Sequence, residues 1–229
     1  FERRGHFAAV AGVKSRAGEY PDHMIFCRAG GDAMSMPITE RELLNAQPRH
    51  RWTVAEYHRM AEVGLLHEDS RVELIDGEII EMAPIGSEHA GHNNHLLSLL
   101  VYRLHGKAVV AGQNPVVLNN YGEPQPDIAL LRWRNDYYKT AHPHAENVLL
   151  IIEISDSTLR YDRDVKIPLY AKNGIPEVWL LDIQSRQLEI YREPINGEYR
   201  QRDCRRTGQI APMLCPDAVI DLAELFPNS

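Results

Sequence analysis

What this 229-residue chain lacks narrows its class first. No apolar run approaches the ~20 residues that a membrane-crossing helix needs, so none is expected. Cysteine is scarce: Cys27, Cys204 and Cys215 are 3 in all, scattered, with no Cys-x-x-Cys. Such a set suits neither a disulfide framework nor a zinc site, and it points to reduced thiols in a cytoplasmic setting. Basic charge is not in excess, since 25 Lys and Arg face 32 Asp and Glu for a net charge of −7. That argues against a non-specific coat on nucleic acid, but not against an enzyme holding its substrate by a local patch. No His-Glu-x-x-His is present. Arg28-Ala-Gly-Gly-Asp32 lacks the following helix and lysine of a phosphate loop, and Ser87 and Ser155 lack a nucleophile elbow. Neither an internal repeat nor a low-complexity tract is visible.

What is present is ordinary in bulk: 44% hydrophobic and 25% charged residues, as in a globular domain. The length suggests one domain with an appendage. Residues 1–35, rich in Gly, Ala and Arg and without useful periodicity, read as a disordered or non-native extension. Met36 reads as the natural start, and 36–229 as a single domain. A basic substrate-binding arm, carrying Arg3, Arg4, Lys14 and Arg16, is the alternative for the extension.

From Thr53 the pattern turns helical. Thr53 and Glu56 make a capping box, Tyr57, Met60, Ala61 and Leu65 follow at helical spacing, and Gly64 lies near the end. Asp76-Gly77 between alternating runs predicts a hairpin over 71–82. Ser87 to Leu104 is expected as a helix with Leu96, Leu97, Leu100 and Leu104 buried. Ala108 to Leu118 and Ile128 to Leu131 read as strands, and 132–146 as a polar loop. Val148 to Ile154 has the continuous apolar character of a central strand covered on both faces. A helical segment then ends at Asn173-Gly174. Pro168 either kinks it or begins its regular part after a looser turn over 161–167. Val178 to Ile183 and Leu188 to Arg192 read as paired strands, and Asp221 to Phe226 as a short helix. The order predicts an α/β fold, a mixed sheet with helices packed on it.

Two of the apolar strands carry an unexpected charge. Asp127 lies in Gln125-Pro-Asp-Ile-Ala-Leu-Leu131, and Glu153 in Val148-Leu-Leu-Ile-Ile-Glu-Ile-Ser155. A buried carboxylate costs several kcal/mol unless it is paired or holds a metal. A hard divalent cation taking two carboxylates, with water and phosphate oxygens completing its shell, is the simplest chemical reason. Such an ion acidifies a bound water and offsets charge on a phosphodiester, while a nearby lysine orients or deprotonates the attacking water, or stabilises the pentacovalent phosphorus. The bland alternatives are a turn residue for Asp127, a structural ion pair for Glu153, an exposed strand face for Glu73 and a solvated lysine at 166.

His89, His92 and His95 open the second helix, but the outer two point about 120° apart, so all three cannot face one ion. They read as a polar first turn, with His92, beside Tyr170, the candidate for touching substrate. Trp133-Arg134 and Tyr137-Tyr138 either stack on nucleic acid or anchor an ordinary loop.

Several ordered features together resemble the Uma-type branch of the PD-(D/E)XK nuclease superfamily. These are Val72-Glu-Leu-Ile-Asp-Gly-Glu-Ile79, Pro126-Asp127, the segment Val148 to Thr158, Asp162 with Lys166 and Tyr170, and Gly174-Ile-Pro-Glu-Val-Trp-Leu-Leu-Asp182. They span about residues 50–225. The resemblance implies a restriction-endonuclease-like core and hydrolysis of DNA phosphodiesters with Mg2+, Mn2+ being a substitute. Double-strand cleavage by this class implies a homodimer. Asp127, Glu153 and Glu73 would be the metal ligands. Ser155 stands where the superfamily's Glu-x-Lys has its lysine, and the branch implies that Lys166 replaces it, with Lys172 the weaker substitute. Asp162, Lys166 and Tyr170 would share one face of a regular helix. The competing expectations are a nuclease-fold interaction or regulatory module with little or no catalysis, and a metal-dependent hydrolase of small phosphoesters.

Overall fold

The computed structural model describes residues 47–67 and 69–226. The extension read over 1–35 lies outside them. From Arg49 onward the chain forms one compact unit.

Thr53 caps helix α1 (Val54–Glu62) with the capping box formed in both directions. Hairpin β1 (Val72–Ile75) and β2 (Glu78–Glu81) turns at Asp76 and Gly77, both with positive φ. Gly77 is required there twice over, since a Cβ would also meet the Cβ of Arg51 at 2.7 Å. Helix α2 (Ser87–Arg103) follows, then the strands β3 (Ala108–Gly112), β4 (Ile128–Arg132) and β5 (Val148–Ser155). Leu96 and Leu100 of α2 and the following Leu104 are buried as expected, while Leu97 is only half-buried.

The strand expected over Ala108 to Leu118 stops at Gly112. Gln113 takes a positive φ and Pro115 follows it, so the ladder cannot continue.

After β5 the chain runs through one helical turn, α3 (Leu159–Tyr161), a wider π turn over Asp162–Lys166, and α4 (Ile167–Lys172). Pro168 therefore begins the regular helix, the second of its two expected roles. It has no N–H to donate, and its ring would press on the carbonyl of Asp164 in a regular helix. The turn widens instead, and the Ile167 N–H reaches back to the Asp162 carbonyl. Strands β6 (Glu177–Asp182), β7 (Gln187–Ile195) and β8 (Glu198–Arg205) complete the main sheet. A small pair, β9 (Gln209–Ile210) with β10 (Ile220–Asp221), leads to α5 (Leu222–Leu225), capped by Asp221.

Strand β8 was not expected. Its Glu-Tyr-Arg-Gln-Arg-Asp-Cys-Arg sequence is polar because it is an edge strand, and the Asn196-Gly197 turn before it was the available signal.

The main sheet is mixed, in the order β3-β4-β5-β6-β7-β8, with β5 and β6 parallel and the other neighbours antiparallel. Past a bulge where β4 meets the start of β5, the side chains of β5 alternate from Leu150 onward. Leu150, Ile152 and Ile154 of β5 pack with Trp179 and with Leu96 and Leu100 of α2 on one face. Ile151 packs with Leu180 and with Ile167 and Tyr170 of α4 on the other, where Ile75 of the hairpin also lies. Glu153 shares the parity of Ile151, so it faces α4 and the hairpin. Among the described residues no helix is long and apolar enough to cross a membrane. Cys204 and Cys215 are free thiols, and Cys27 lies outside the described residues.

Candidate active site

Strand pairing explains how residues far apart in sequence meet. Strands β4 and β5 are antiparallel, with Ile128 opposite Ile152, so the start of β4 lies beside the end of β5. Asp127 immediately precedes β4, and Glu153 sits at the matching end of β5. The pairing stops at Ile152, which leaves the Ile154 N–H without a strand partner. The Asp127 carboxylate takes it, Oδ2 accepting from the Ile154 N–H at 2.8 Å. The same oxygen lies 3.1 Å from Nε2 of His89, and Gln113 Nε2 is 3.4 Å from Oδ1.

Lys166 comes in from the π turn and is 6% exposed. Its Nζ is 3.3 Å from Glu153 Oε1 and 3.3 Å from Glu73 Oε2. Glu73 Oε2 also accepts the Gln125 N–H at 3.1 Å, and the Tyr170 hydroxyl donates to Glu153. Asp162 is held apart by the Ser155 and Thr158 hydroxyls, at 2.5 and 2.7 Å. Arg163, one residue along, pairs with buried Glu189, which Arg202 also reaches at 2.8 Å. That anchor ties the π turn to β7 and so sets where Lys166 can reach.

Glu73, Asp127, Glu153, Asp162, Lys166 and His89 line a cleft of about 410 Å³. Burial pushes the Glu153 carboxyl up to about 8, with Asp127 and Asp162 adding to the rise and Lys166 opposing it. For Lys166, burial favours the neutral amine, but Glu153, Glu73, Asp162 and Asp127 outweigh it and hold the ammonium above its ordinary range. His89 is raised by its hydrogen bond to Asp127, against its own burial. Burial also raises the Tyr161 hydroxyl to about 12.

Of the residues expected to form a site, Asp127, Glu153, Glu73 and Lys166 line one cleft, and Tyr170 supports it from beneath at 0% exposure. His92 does not line it. Its Nδ1 turns back to the Glu88 carbonyl at 2.9 Å and its ring lies against Phe226, so the helix periodicity sends His89 inward instead. Lys172 is exposed and stands beside Gly197, away from the cleft. The loop holding Trp133 and Tyr137 leaves β4 at the end opposite Asp127, and those rings meet edge to face with centroids 5.5 Å apart. Sequence reasoning missed His89, Gln113 and Tyr161 as cleft residues; only the spacing of the three histidines hinted that one might differ.

The donors suit a hard cation in part. Asp127 and Glu153 offer only oxygen, and four carboxylates (Glu73, Asp127, Glu153, Asp162) act on one ammonium, leaving negative charge uncompensated. Among the described residues, no group of three or more His, Cys, Asp and Glu side chains is arranged to hold a metal ion. An ion here would have to take its protein ligands from Asp127 and Glu153 and the rest of its shell from water and phosphate, since Glu73 is committed to Lys166.

The mixed six-stranded sheet flanked by helices, with Asp127 and Glu153 at the matching ends of two of its central strands and Lys166 arriving from the π turn, is a restriction-endonuclease-like fold. The chain belongs to the Uma2 family, described as putative restriction endonuclease, which matches residues 54–223. Its fold is similar to that of a protein from Anabaena variabilis described as a putative nuclease belonging to DUF820. The two share a TM-score of 0.59 and 17% identity, over 76% of this chain and 97% of that one. No curated protein matches the chain.

Proposed function

We propose that this protein is a metal-dependent endonuclease that hydrolyses DNA phosphodiester bonds, with Asp127 and Glu153 as ligands of a magnesium-type ion. The observation that carries the reading is Lys166, whose ammonium bridges Glu73 and Glu153 in the cleft that Asp127 also lines. A bound divalent ion would supply an acidified water and offset charge on the phosphate. The chain's own part is positioning. The Ile154 N–H and His89 fix the Asp127 carboxylate through one oxygen. Tyr170 and Lys166 fix Glu153 through Oε1, and Glu73 holds the ammonium from the other side. Lys166 remains protonated among these acids, so its role is to orient the attacking water and stabilise the phosphorane charge, not to remove a proton. DNA as substrate is taken from the family's description, and a homodimer would be needed only where both strands of a duplex are cut.

The test is a plasmid-nicking assay in magnesium or manganese with wild type, Asp127→Ala and Lys166→Ala. Nicking by wild type alone supports the reading. Turnover of small phosphoesters without nicking, or folded protein inert in both metals, would replace it with one of the competing expectations.

A further inference from the structure

One wall of the cleft has no use in the chemistry just described. After β2 the chain runs through Met82-Ala83-Pro84-Ile85-Gly86, five consecutive residues without a polar side chain, before α2 begins. All five line the cleft, together with Ile80 of β2. Ala83, Pro84, Ile85 and Gly86 are exposed, Ile85 at 39%, so the segment does not serve the core. An apolar strip left open to water beside a cluster of acids calls for a ligand with an apolar face.

The rest of the cleft restricts what that ligand can be. Six carboxylates line it (Glu73, Glu81, Asp127, Glu153, Asp156 and Asp162), against the basic side chains of Arg71, Lys166 and His89, the last already bonded to Asp127. A long run of phosphates needs many cationic contacts, of the order of 6–10 for typical duplex binders. This cleft has a place for one phosphate and repels its neighbours. At about 410 Å³ it also falls within the range of small-ligand sites, roughly 300–1,000 Å³. The apolar wall is part of a concavity, so it receives a group and does not wedge between stacked bases as a protruding side chain would.

We infer that the cleft accepts a single unpaired nucleotide, its base and sugar against Met82–Ile85 and its phosphate at the Asp127–Glu153 edge. The substrate is then a single-stranded or locally melted segment of DNA, not an intact duplex. The inference rests on the endonuclease reading for its substrate, but occupancy of the cleft is measured separately from cleavage.

The experiment is fluorescence anisotropy with the full chain in calcium. It compares a labelled single-stranded oligonucleotide with the blunt duplex of the same sequence, for wild type, Ile85→Glu and Ala83→Glu. One base buried against the wall predicts at least about ten-fold tighter binding of the single strand. Both variants, at exposed positions and checked for unchanged thermal unfolding, should shrink that ratio to about two-fold or less. Equal or tighter duplex binding, a ratio unchanged in both variants, or no binding of either oligonucleotide overturns the inference. Cleavage is read in magnesium on the same samples. Tight single-strand binding without cleavage in either metal leaves the occupancy standing and removes the hydrolytic reading instead.

Discussion

The ammonium of Lys166 lies 3.3 Å from Oε1 of Glu153, although Ser155 stands where the superfamily pattern has its lysine. Ser155 is fully buried and spends its hydroxyl on Asp162, which leaves the space before Glu153 open to a side chain arriving from the π turn. The same chemical position is thus filled from a different element of the fold.

Removing that ammonium should weaken both folding and cleavage. Lys166→Met leaves Glu73 and Glu153 buried without their shared cation, and breaking a buried pair costs about 3–5 kcal/mol. Chemical denaturation should show the larger loss at pH 8 than at pH 5, because the Glu153 carboxyl, raised by burial, is protonated at the lower value. Nicking should fall by about 10²–10³.

Glu153 sets a pH dependence of stability in the absence of metal. Its pKa in the folded protein is raised from 4.5 to about 8 by burial. The folded state therefore holds a proton that the unfolded state releases, and this contribution is complete below about 4.5 and is lost as pH rises through about 8. His89, also raised, adds a loss of the same sign. Scanning calorimetry from pH 5 to pH 8.5 should show a falling Tm, and Glu153→Gln should flatten the part due to the glutamate.

Magnesium or manganese should reverse that trend. An ion bound only by the folded state stabilises it by about 2.7 kcal/mol at a hundred times its Kd. The rise in Tm should be larger at pH 8 than at pH 6, since a protonated Glu153 is a poor ligand. Asp127→Asn should abolish the rise at both. A wild-type Tm indifferent to either metal would exclude the two-carboxylate site.

The histidines separate by position. His89→Asn removes a donor to Asp127, and loss of an orienting partner typically costs about ten- to hundred-fold in metal affinity or activity. His92→Asn, whose ring turns back along its own helix, should leave both within about two-fold. Calorimetric titration with manganese measures the first quantity without reference to activity.

Much of the fold was legible because local rules and tertiary packing agree. The capping box at Thr53, the Asp76-Gly77 turn and the unbroken apolar run of β5 each appear where the sequence places them. Where they disagreed, a backbone detail or an edge decided. Pro115 and the positive φ at Gln113 cut β3 short, and β8 carries the polar sequence of a strand with one open side. Asp127 and Glu153 were legible because acids in apolar strands are costly without a partner, whereas Glu73 and Lys166 were singled out by the family resemblance. Lys172 could not be separated from Lys166 by spacing, since a π turn changes the helical phase by an amount no periodicity records, and which of His89 and His92 faces the cleft depends on how α2 is seated on the sheet.

By itself the sequence determined which elements form and which acids must find a partner, because propensity, turn chemistry and the cost of buried charge act locally. Only the tertiary structure decided how they are shared: Lys166 between Glu73 and Glu153, Asp127 with His89 and the Ile154 N–H. Those pairings depend on where β5 outruns β4 and how far the π turn carries Lys166. Both are set by the packing of the whole sheet, which no single segment contains.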